Sequence, residues 1–272
     1  MHHINVTRSS NQKIIRFVQL TDCHLMTDSE ATFGGIQPYY HLKAVVDDIQ
    51  QDMDFDFLLA TGDLAQQATA QAYQHYFDLI SPLNKPHFCI RGNHDDCFVD
   101  DEQCCQIDCV NIGHWQILLL NSQKSAHACG ELKIEDLEKL HQCLQHNAQL
   151  AQPKHIIITL HHHVLPVDSA WLDQHILLNA QAFLDIISPF KQVKLVLTGH
   201  VHQVAEIPYQ HFSIMSCPAT SVQFKPKQKE FAFDDLAPGY RRFELFDDGS
   251  YQSQVIYLSQ LMGKIDHQIT EY

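Results

Sequence analysis

The chain has 272 residues, with 18 Lys and Arg against 32 Asp and Glu and a formal charge of −14. So acidic a surface repels polyanions, which excludes nucleic acid and anionic membranes as general partners and requires that attraction for any anionic ligand be local. No apolar run approaches the roughly 18 residues of a membrane span, and Met1-His2-His3 opens no charged-then-apolar leader, so a cytoplasmic protein is expected.

Residues 1–12 are polar and are expected to form a flexible N-terminal arm, and no Gly/Ser- or Pro-rich linker divides 13–272, which is expected to be a single domain. Residues 14–20 form a strand-length apolar segment that runs into Asp22-Cys23-His24. Leu42, Val45, Val46 and Ile49 then recur at i, i+3, i+4, i+7, the spacing of an amphipathic helix. A second strand, 55–59, leads to Thr61-Gly62-Asp63, and Tyr73, Tyr76, Phe77 and Ile80 repeat the helical spacing. The strand 87–90 ends at Gly92-Asn93-His94-Asp95. Leu137, Leu140 and Leu144 approximate a third helix before the strand 156–160, which ends at His161-His162-His163. Phe183, Ile186, Ile187 and Phe190 mark a fourth helix, and the strand 193–197 runs into Gly199-His200-Val201-His202. Beyond Gly199 only short strands are expected, at 212–215, 240–246 and 251–258, with Asp247-Asp248-Gly249-Ser250 as a hairpin turn and 225–233 as the most loop-like stretch. There is no internal repeat. The fold class is α/β (α+β), two packed mixed sheets with helices outside. In such sheets the functional crevice lies beyond the carboxyl ends of the strands, so five polar clusters are expected on one rim.

Nine cysteines, an odd number at irregular spacing, read as reduced thiols rather than a disulfide framework. Cys97, Cys104, Cys105 and Cys109 are dense but lack the paired C-x-x-C spacing of a zinc knuckle.

Each polar cluster has a bland explanation when taken alone. Asp-x-His is common after a strand, Thr-Gly-Asp is an ordinary turn, and Asn-His caps helices. Together, carboxylate, carboxamide and imidazole are ligands suited to first-row divalent or trivalent metals, and the absence of thiolate from the series argues against a structural zinc knot. In extended chain, residues two apart face one side, so Asp22 and His24 can share an ion, as can His200 and His202. Adjacent side chains diverge, so one of the three consecutive histidines is expected to enter the site, and His161, the first polar residue after Leu160, is the choice. Gly92 is expected to clear space where substrate approaches.

Asp22-x-His24, Gly62-Asp63, Gly92-Asn93-His94-Asp95, His161 and Gly199-His200-x-His202 resemble the signature of the calcineurin-like metallophosphoesterases. Further segments are similar to the bacterial class III 3′,5′-cyclic AMP phosphodiesterases: residues 115–120, Gly130-Glu131-Leu132, residues 171–175, residues 221–226 and residues 237–241. The similarity runs from roughly Ile15 to Leu258. It implies a four-layer αββα sandwich and hydrolysis of cyclic AMP to 5′-AMP by a metal-bridging hydroxide, with a cyclic nucleotide as the partner and a lower intracellular level of that messenger as the result. It also implies two metal ions, of Fe/Mn type, with Co and Zn accepted by the same ligands. Asp22, His24 and His202 then hold the first ion, Asn93, His161 and His200 the second, and Asp63 is shared. His94 is the catalytic group, and His24, Asp63, Asn93, His94 and His202 face the substrate. Cys23 stands where Thr or Ser is usual, and Val164 where Pro is common. Two other readings keep the fold: a phosphodiesterase for other diesters, such as glycerophosphodiesters or 2′,3′-cyclic nucleotides, and a non-catalytic scaffold.

Overall fold

The computed structural model describes residues 3–7, 13–95 and 108–271. One sheet is built from β2 (Ile15–Leu20), β3 (Phe57–Ala60), β4 (His87–Cys89), β13 (Gly239–Leu245) and β14 (Tyr251–Tyr257) in the order β14-β13-β2-β3-β4. The larger sheet holds β1 (His3–Asn5), β5 (Cys109–Ile112), β6 (Trp115–Leu119), β7 (His155–Thr159), β8 (Val193–Thr198), β9 (Glu206–Tyr209) and β10 (Phe212–Ser216) in the order β1-β5-β6-β7-β8-β10-β9. Both sheets are mixed: β2, β3 and β4 run parallel while β13 and β14 are antiparallel, and β6, β7, β8 and β10 run parallel while β9 pairs antiparallel to β10. A small antiparallel ribbon, β11 (Gln223–Phe224) with β12 (Phe233–Asp234), encloses the expected loop.

Period-two alternation divides the apolar side chains of each strand between two layers. In β3, Phe57 and Leu59 enter the core between the sheets, which Phe17, Ile117, Ile157, Leu195 and Phe243 also fill. Leu58 and Ala60 face the opposite way, against α1 (Pro38–Ile49) and α2 (Ala70–Ile80), whose Leu42, Val45, Tyr73 and Tyr76 cover them. On the other sheet, Ile156, Ile158 and Val196 lie under α3 (Ile134–Ala148) and α4 (Ala180–Ile187) through Leu137, Leu140, Leu144, Phe183 and Ile187. Three apolar layers therefore separate four structural ones, and the αββα sandwich is present. The hairpin turn forms as expected, with Gly249 at φ 87° and Phe246 N donating to Ser250 O at 3.0 Å.

Two expectations are corrected. The arm expected over 1–12 contains a strand, because His3–Asn5 pairs parallel with β5. An edge strand presents a row of unpaired backbone groups, and a short extended segment satisfies them whatever its side chains. Likewise β5 and β9 are additions to the expected strands, each four residues long and too short for its alternation to stand out. Of the dense cysteines, Cys109 is buried in β5, and Cys97, Cys104 and Cys105 lie outside the described residues. Among the described residues six cysteines are free thiols, and no helix is long and apolar enough to cross a membrane.

Candidate metal centre

Asp22 and His24 follow β2, Asp63 follows β3, Asn93 and His94 follow β4, His161 follows β7, and His200 and His202 follow β8. Both sheets thus contribute to one rim. Asp22, His24, Asp63, His200 and His202 have φ of 52°, 48°, 51°, 69° and 45°, left-handed backbone that L residues adopt rarely, Asp, Asn and His least reluctantly. This cancels the alternation assumed for extended chain. Atoms of Asp22, His24 and His202 come within 4.8 Å of one another, and so do those of Asp63, His161 and His200. The spacing expectation that His200 and His202 face one ion is therefore corrected: the turn at Val201, whose N–H donates to Gly199 O at 2.8 Å, sends them to different groups.

The geometry fits metal ions at both groups. His24 Nδ1 lies 2.5 Å from Gln66 Oε1 and His202 Nδ1 lies 2.8 Å from Val222 O, so in each neutral ring the proton sits on Nδ1 and Nε2 carries a lone pair. Those two Nε2 atoms face each other at 3.0 Å, with Asp22 Oδ1 3.3 Å from His202 Nε2. Lone pairs converging on a carboxylate call for a cation between them. In the second group His161 Nδ1 lies 2.7 Å from Thr61 O, which aims Nε2 at Asp63 Oδ2, 3.1 Å away. His200 Nε2 and Asn93 Oδ1 are buried and make no hydrogen bond, the usual sign of ligand atoms when such groups are otherwise nearly always paired. Asp63 joins the groups, its Oδ2 3.8 Å from His24 Nε2.

The electrostatics prepare the same atoms. Burial lowers the His24 pKa to about 3 and holds His200 well below the ordinary imidazole value, so both are neutral donors of a lone pair. Burial also works against the Asp63 carboxylate, yet the facing His161 and then His94 pull its pKa well below the usual range. For His161, burial is outweighed by Asp63 and Asp22, which hold its pKa up at about 9.

His94 is partly exposed, unlike the fully buried His24, His161 and His202. Its backbone N–H donates to Asp63 Oδ1 at 2.9 Å, and its Nδ1 lies 3.1 Å from Gln66 O, which leaves Nε2 as the ring atom on the other side. It also groups with His24 and Asp63 within 4.8 Å. Of the other two consecutive histidines, His162 is tied to Ser122 Oγ at 2.8 Å and packs where a Cβ on Gly130 would meet its ring at 2.4 Å. His163 points to Asp173, 3.5 Å away. Both are buried, and neither joins a ligand group.

Several supporting residues escape a sequence reading. Asp95 lies fully buried and accepts from the N–H groups of Gly92, Leu64 and Ala65 and from the Tyr73 hydroxyl, at 3.0, 3.3, 3.3 and 3.1 Å. It thereby clamps the turn carrying Asn93 to the one carrying Asp63. Burial, then the Asp63 charge, raise its pKa to about 6. A Cβ on Gly92 would lie 2.1 Å from Asp63 Oδ1, so this glycine makes room for the Asp63 carboxylate. Gln66, Thr61 and Val222 orient imidazoles, the last two through carbonyl oxygens that any residue offers. Phe33 lies near-parallel to His24 at 5.0 Å, and Phe224 stacks on His202 at 4.0 Å. Cys23 and Val164 fill apolar clusters and disturb no ligand.

A two-group Asp/His/Asn centre on the rim of a double-sheet sandwich defines a metallophosphoesterase, and residues 15–204 match the calcineurin-like phosphoesterase family, to which this chain belongs. Along its length the chain is similar to proteins named 3′,5′-cyclic adenosine monophosphate phosphodiesterase CpdA: that of Vibrio vulnificus is 38% identical, covering 93% of each chain. The counterpart from Haemophilus influenzae is 36% identical over 92% of this chain and 93% of that one. In fold it is similar to a dimetal phosphatase from Danio rerio, with a TM-score of 0.63 and 12% identity over 91% of this chain and 100% of that one. A purple acid phosphatase from yellow lupin superposes with a TM-score of 0.64 at 15% identity, over 94% of this chain and 53% of that one.

Proposed function

We propose that the chain hydrolyses 3′,5′-cyclic AMP to 5′-AMP in the cytoplasm, at a centre where Asp22, His24 and His202 hold one ion, Asn93, His161 and His200 hold another, and Asp63 is shared. The observation that carries this reading is the pair of buried ligand groups meeting at Asp63, in a chain 38% identical over nearly its whole length to a protein named for that activity. Ions of Fe/Mn type, or Co or Zn, suit the donor set, and when bound they supply positive charge against the phosphodiester and lower the pKa of water towards about 7.

The chain's own residues do the rest. His24 and His202 keep their ligand atoms fixed through bonds made at Nδ1, and the anionic Asp22 and Asp63 through the His200 and His94 N–H groups, so little reorganisation accompanies the reaction. His94, held at its N–H by Asp63 and at Nδ1 by Gln66 O, directs Nε2 at the substrate. There it offsets charge developing on the phosphoryl oxygens and gives a proton to the departing 3′ oxygen. The bond broken is P–O3′, water's hydroxyl goes to phosphorus, and its proton is balanced by the one delivered to the ribose. Local charge from the ions answers the substrate anion, while the acidic remainder of the surface does not. The aromatic cluster of Phe33, Trp171, Phe224 and Phe231 beside His24 and His202 supports placing the base on that side, with residues 171–175 and 221–226 as its wall. Residues 13–272 act as one catalytic unit, and six free thiols support a reducing compartment.

The test compares cyclic AMP, cyclic GMP, 2′,3′-cyclic AMP and an aryl phosphodiester by kcat/KM with Mn²⁺ or Fe²⁺ supplied, following products by chromatography. Cyclic AMP is expected to give 5′-AMP with the highest kcat/KM. Should it yield none while another diester turns over well, the nucleotide assignment fails and the hydrolase assignment stands.

A further inference from the structure

Behind the first-ion ligands stands one side chain outside the motif. His41, on α1, is fully buried. Its Nδ1 lies 2.9 Å from Ser221 O, and its Nε2 lies 3.0 Å from both the N–H and the carbonyl oxygen of Met262. Burial holds its pKa below the ordinary imidazole value, so the neutral ring donates from Nδ1 and accepts at Nε2. A buried imidazole with both nitrogens bonded to backbone is a clamp between two chain segments.

Each clamped segment leads to a first-ion ligand. On the Ser221 side, Ser221 Oγ donates to Asp22 O at 2.7 Å, the next carbonyl, Val222 O, accepts from His202 Nδ1 at 2.8 Å, and Phe224 N donates to His202 O at 3.0 Å. On the Met262 side, Gly263 bridges to Ile36, and Lys264 N and Asp266 N donate to Gly35 O and Gly34 O at 3.4 and 3.0 Å. That fixes the loop bearing Phe33, whose ring lies against His24. Asp22, His202 and His24 are thus all reached from His41. Of the second group, His161 is anchored to Thr61 O and the Asn93 turn to Asp95, and only His200 touches the relay, its N–H donating to Asp22 Oδ1 and Oδ2 at 3.2 and 3.0 Å.

We infer that His41, with the C-terminal segment it grips, is the positioning residue of the first ion. This rests on the proposed division of ligands between the two ions. Breaking the clamp lets the 220–224 loop and the 33–36 loop drift, and loosens the first site more than the second. Outer partners of metal ligands typically govern 10- to 100-fold in metal affinity.

The full chain is titrated with Mn²⁺, reading bound metal per chain by mass spectrometry and using electron paramagnetic resonance to separate a coupled pair from a single ion. His41→Leu is expected to weaken one ion 10- to 100-fold and convert the coupled signal to that of a single ion. His41→Gln, whose amide offers both a donor and an acceptor, is expected to restore much of the second equivalent. Ser221→Ala, a small change on the same relay, is expected to weaken the same ion and carries the test if His41→Leu does not fold. His202→Ala and His200→Ala mark the loss of the first and second ion. Wild-type affinity for both ions in His41→Leu and Ser221→Ala overturns the inference, as does equal weakening of both ions, which would signal general destabilisation. If His202→Ala keeps both ions, the ligand division is wrong and the inference falls with it.

Discussion

Replacing Asp95 tests how the two ligand-bearing turns are joined. Its two oxygens accept four donors: Oδ2 takes Gly92 N–H and Leu64 N–H, while Oδ1 takes Ala65 N–H and the Tyr73 hydroxyl. In Asp95→Ala the three N–H groups lose their acceptor in a fully buried site, and the Tyr73 hydroxyl loses this bond. At about 1–3 kcal/mol for each buried orphan, with the two 3.3 Å bonds at the low end, and allowing for entry of water, the loss is about 5 kcal/mol. Asp95→Asn is milder. An amide nitrogen at the Oδ2 position would face two backbone donors, so it takes the Oδ1 position, where the Tyr73 hydroxyl can turn and accept. One donor, Ala65 N–H, then faces it, a loss of about 2 kcal/mol. For 272 residues the unfolding entropy is about 570 cal/mol/K, so each kcal/mol lowers Tm by about 2 °C. Thermal unfolding with a chelator present, which removes the contribution of bound ions, is expected to fall by about 9 °C for the alanine variant and about 4 °C for the asparagine variant. An asparagine variant as stable as the parent, or as unstable as the alanine variant, would refute the assignment of donors to oxygens.

Asp63→Ala removes the carboxylate shared by both groups and is expected to reduce bound metal at both, measured as ions per chain; loss of one ion alone would end the bridging role. His94→Ala is expected to keep its metal while kcat falls by about 10²–10⁴, since a proton donor and charge stabiliser is removed but no ligand. Metal loss in that variant would make His94 a ligand. His161→Ala is expected to deplete the second ion more than His162→Ala or His163→Ala does. His162→Ala instead should lower Tm, because it empties a buried pocket against Ser122 and Gly130; the reverse pattern would mean that another imidazole of the three is the ligand.

What could be read from the chain follows a physical division. Asp22, His24, Asp63, Asn93, His161, His200 and His202 are visible because side-chain chemistry specifies a ligand and a preceding apolar strand specifies its place. Helices and inner strands were legible for a similar reason, since burial imposes its period on the residue order. The anchors are not legible: Thr61 O and Val222 O belong to the backbone, which the residue type does not report. The partition of His200 from His202, which the family resemblance implies, is hidden from residue spacing, since it depends on left-handed φ at both, and polar residues give little warning of that. The strand His3–Asn5 has a related explanation, being held by backbone pairing to β5 and offering the core only Ile4 and Val6, too short an alternation to read.

The left-handed ligands have a consequence for how such a chain changes over generations. Five non-glycine residues in that conformation cost roughly 1 kcal/mol each, or about 5 kcal/mol together. That is comparable to the whole margin by which a domain stays folded. Drift without selection for the centre would therefore favour glycine at these positions, and a descendant that had stopped binding ions would gain stability by losing Asp and His there first. Asp22, His24, Asp63, His200 and His202 thus stand in a conformation that suits glycine better, so replacing any one of them by glycine is expected to remove a side chain of the centre while relieving backbone strain.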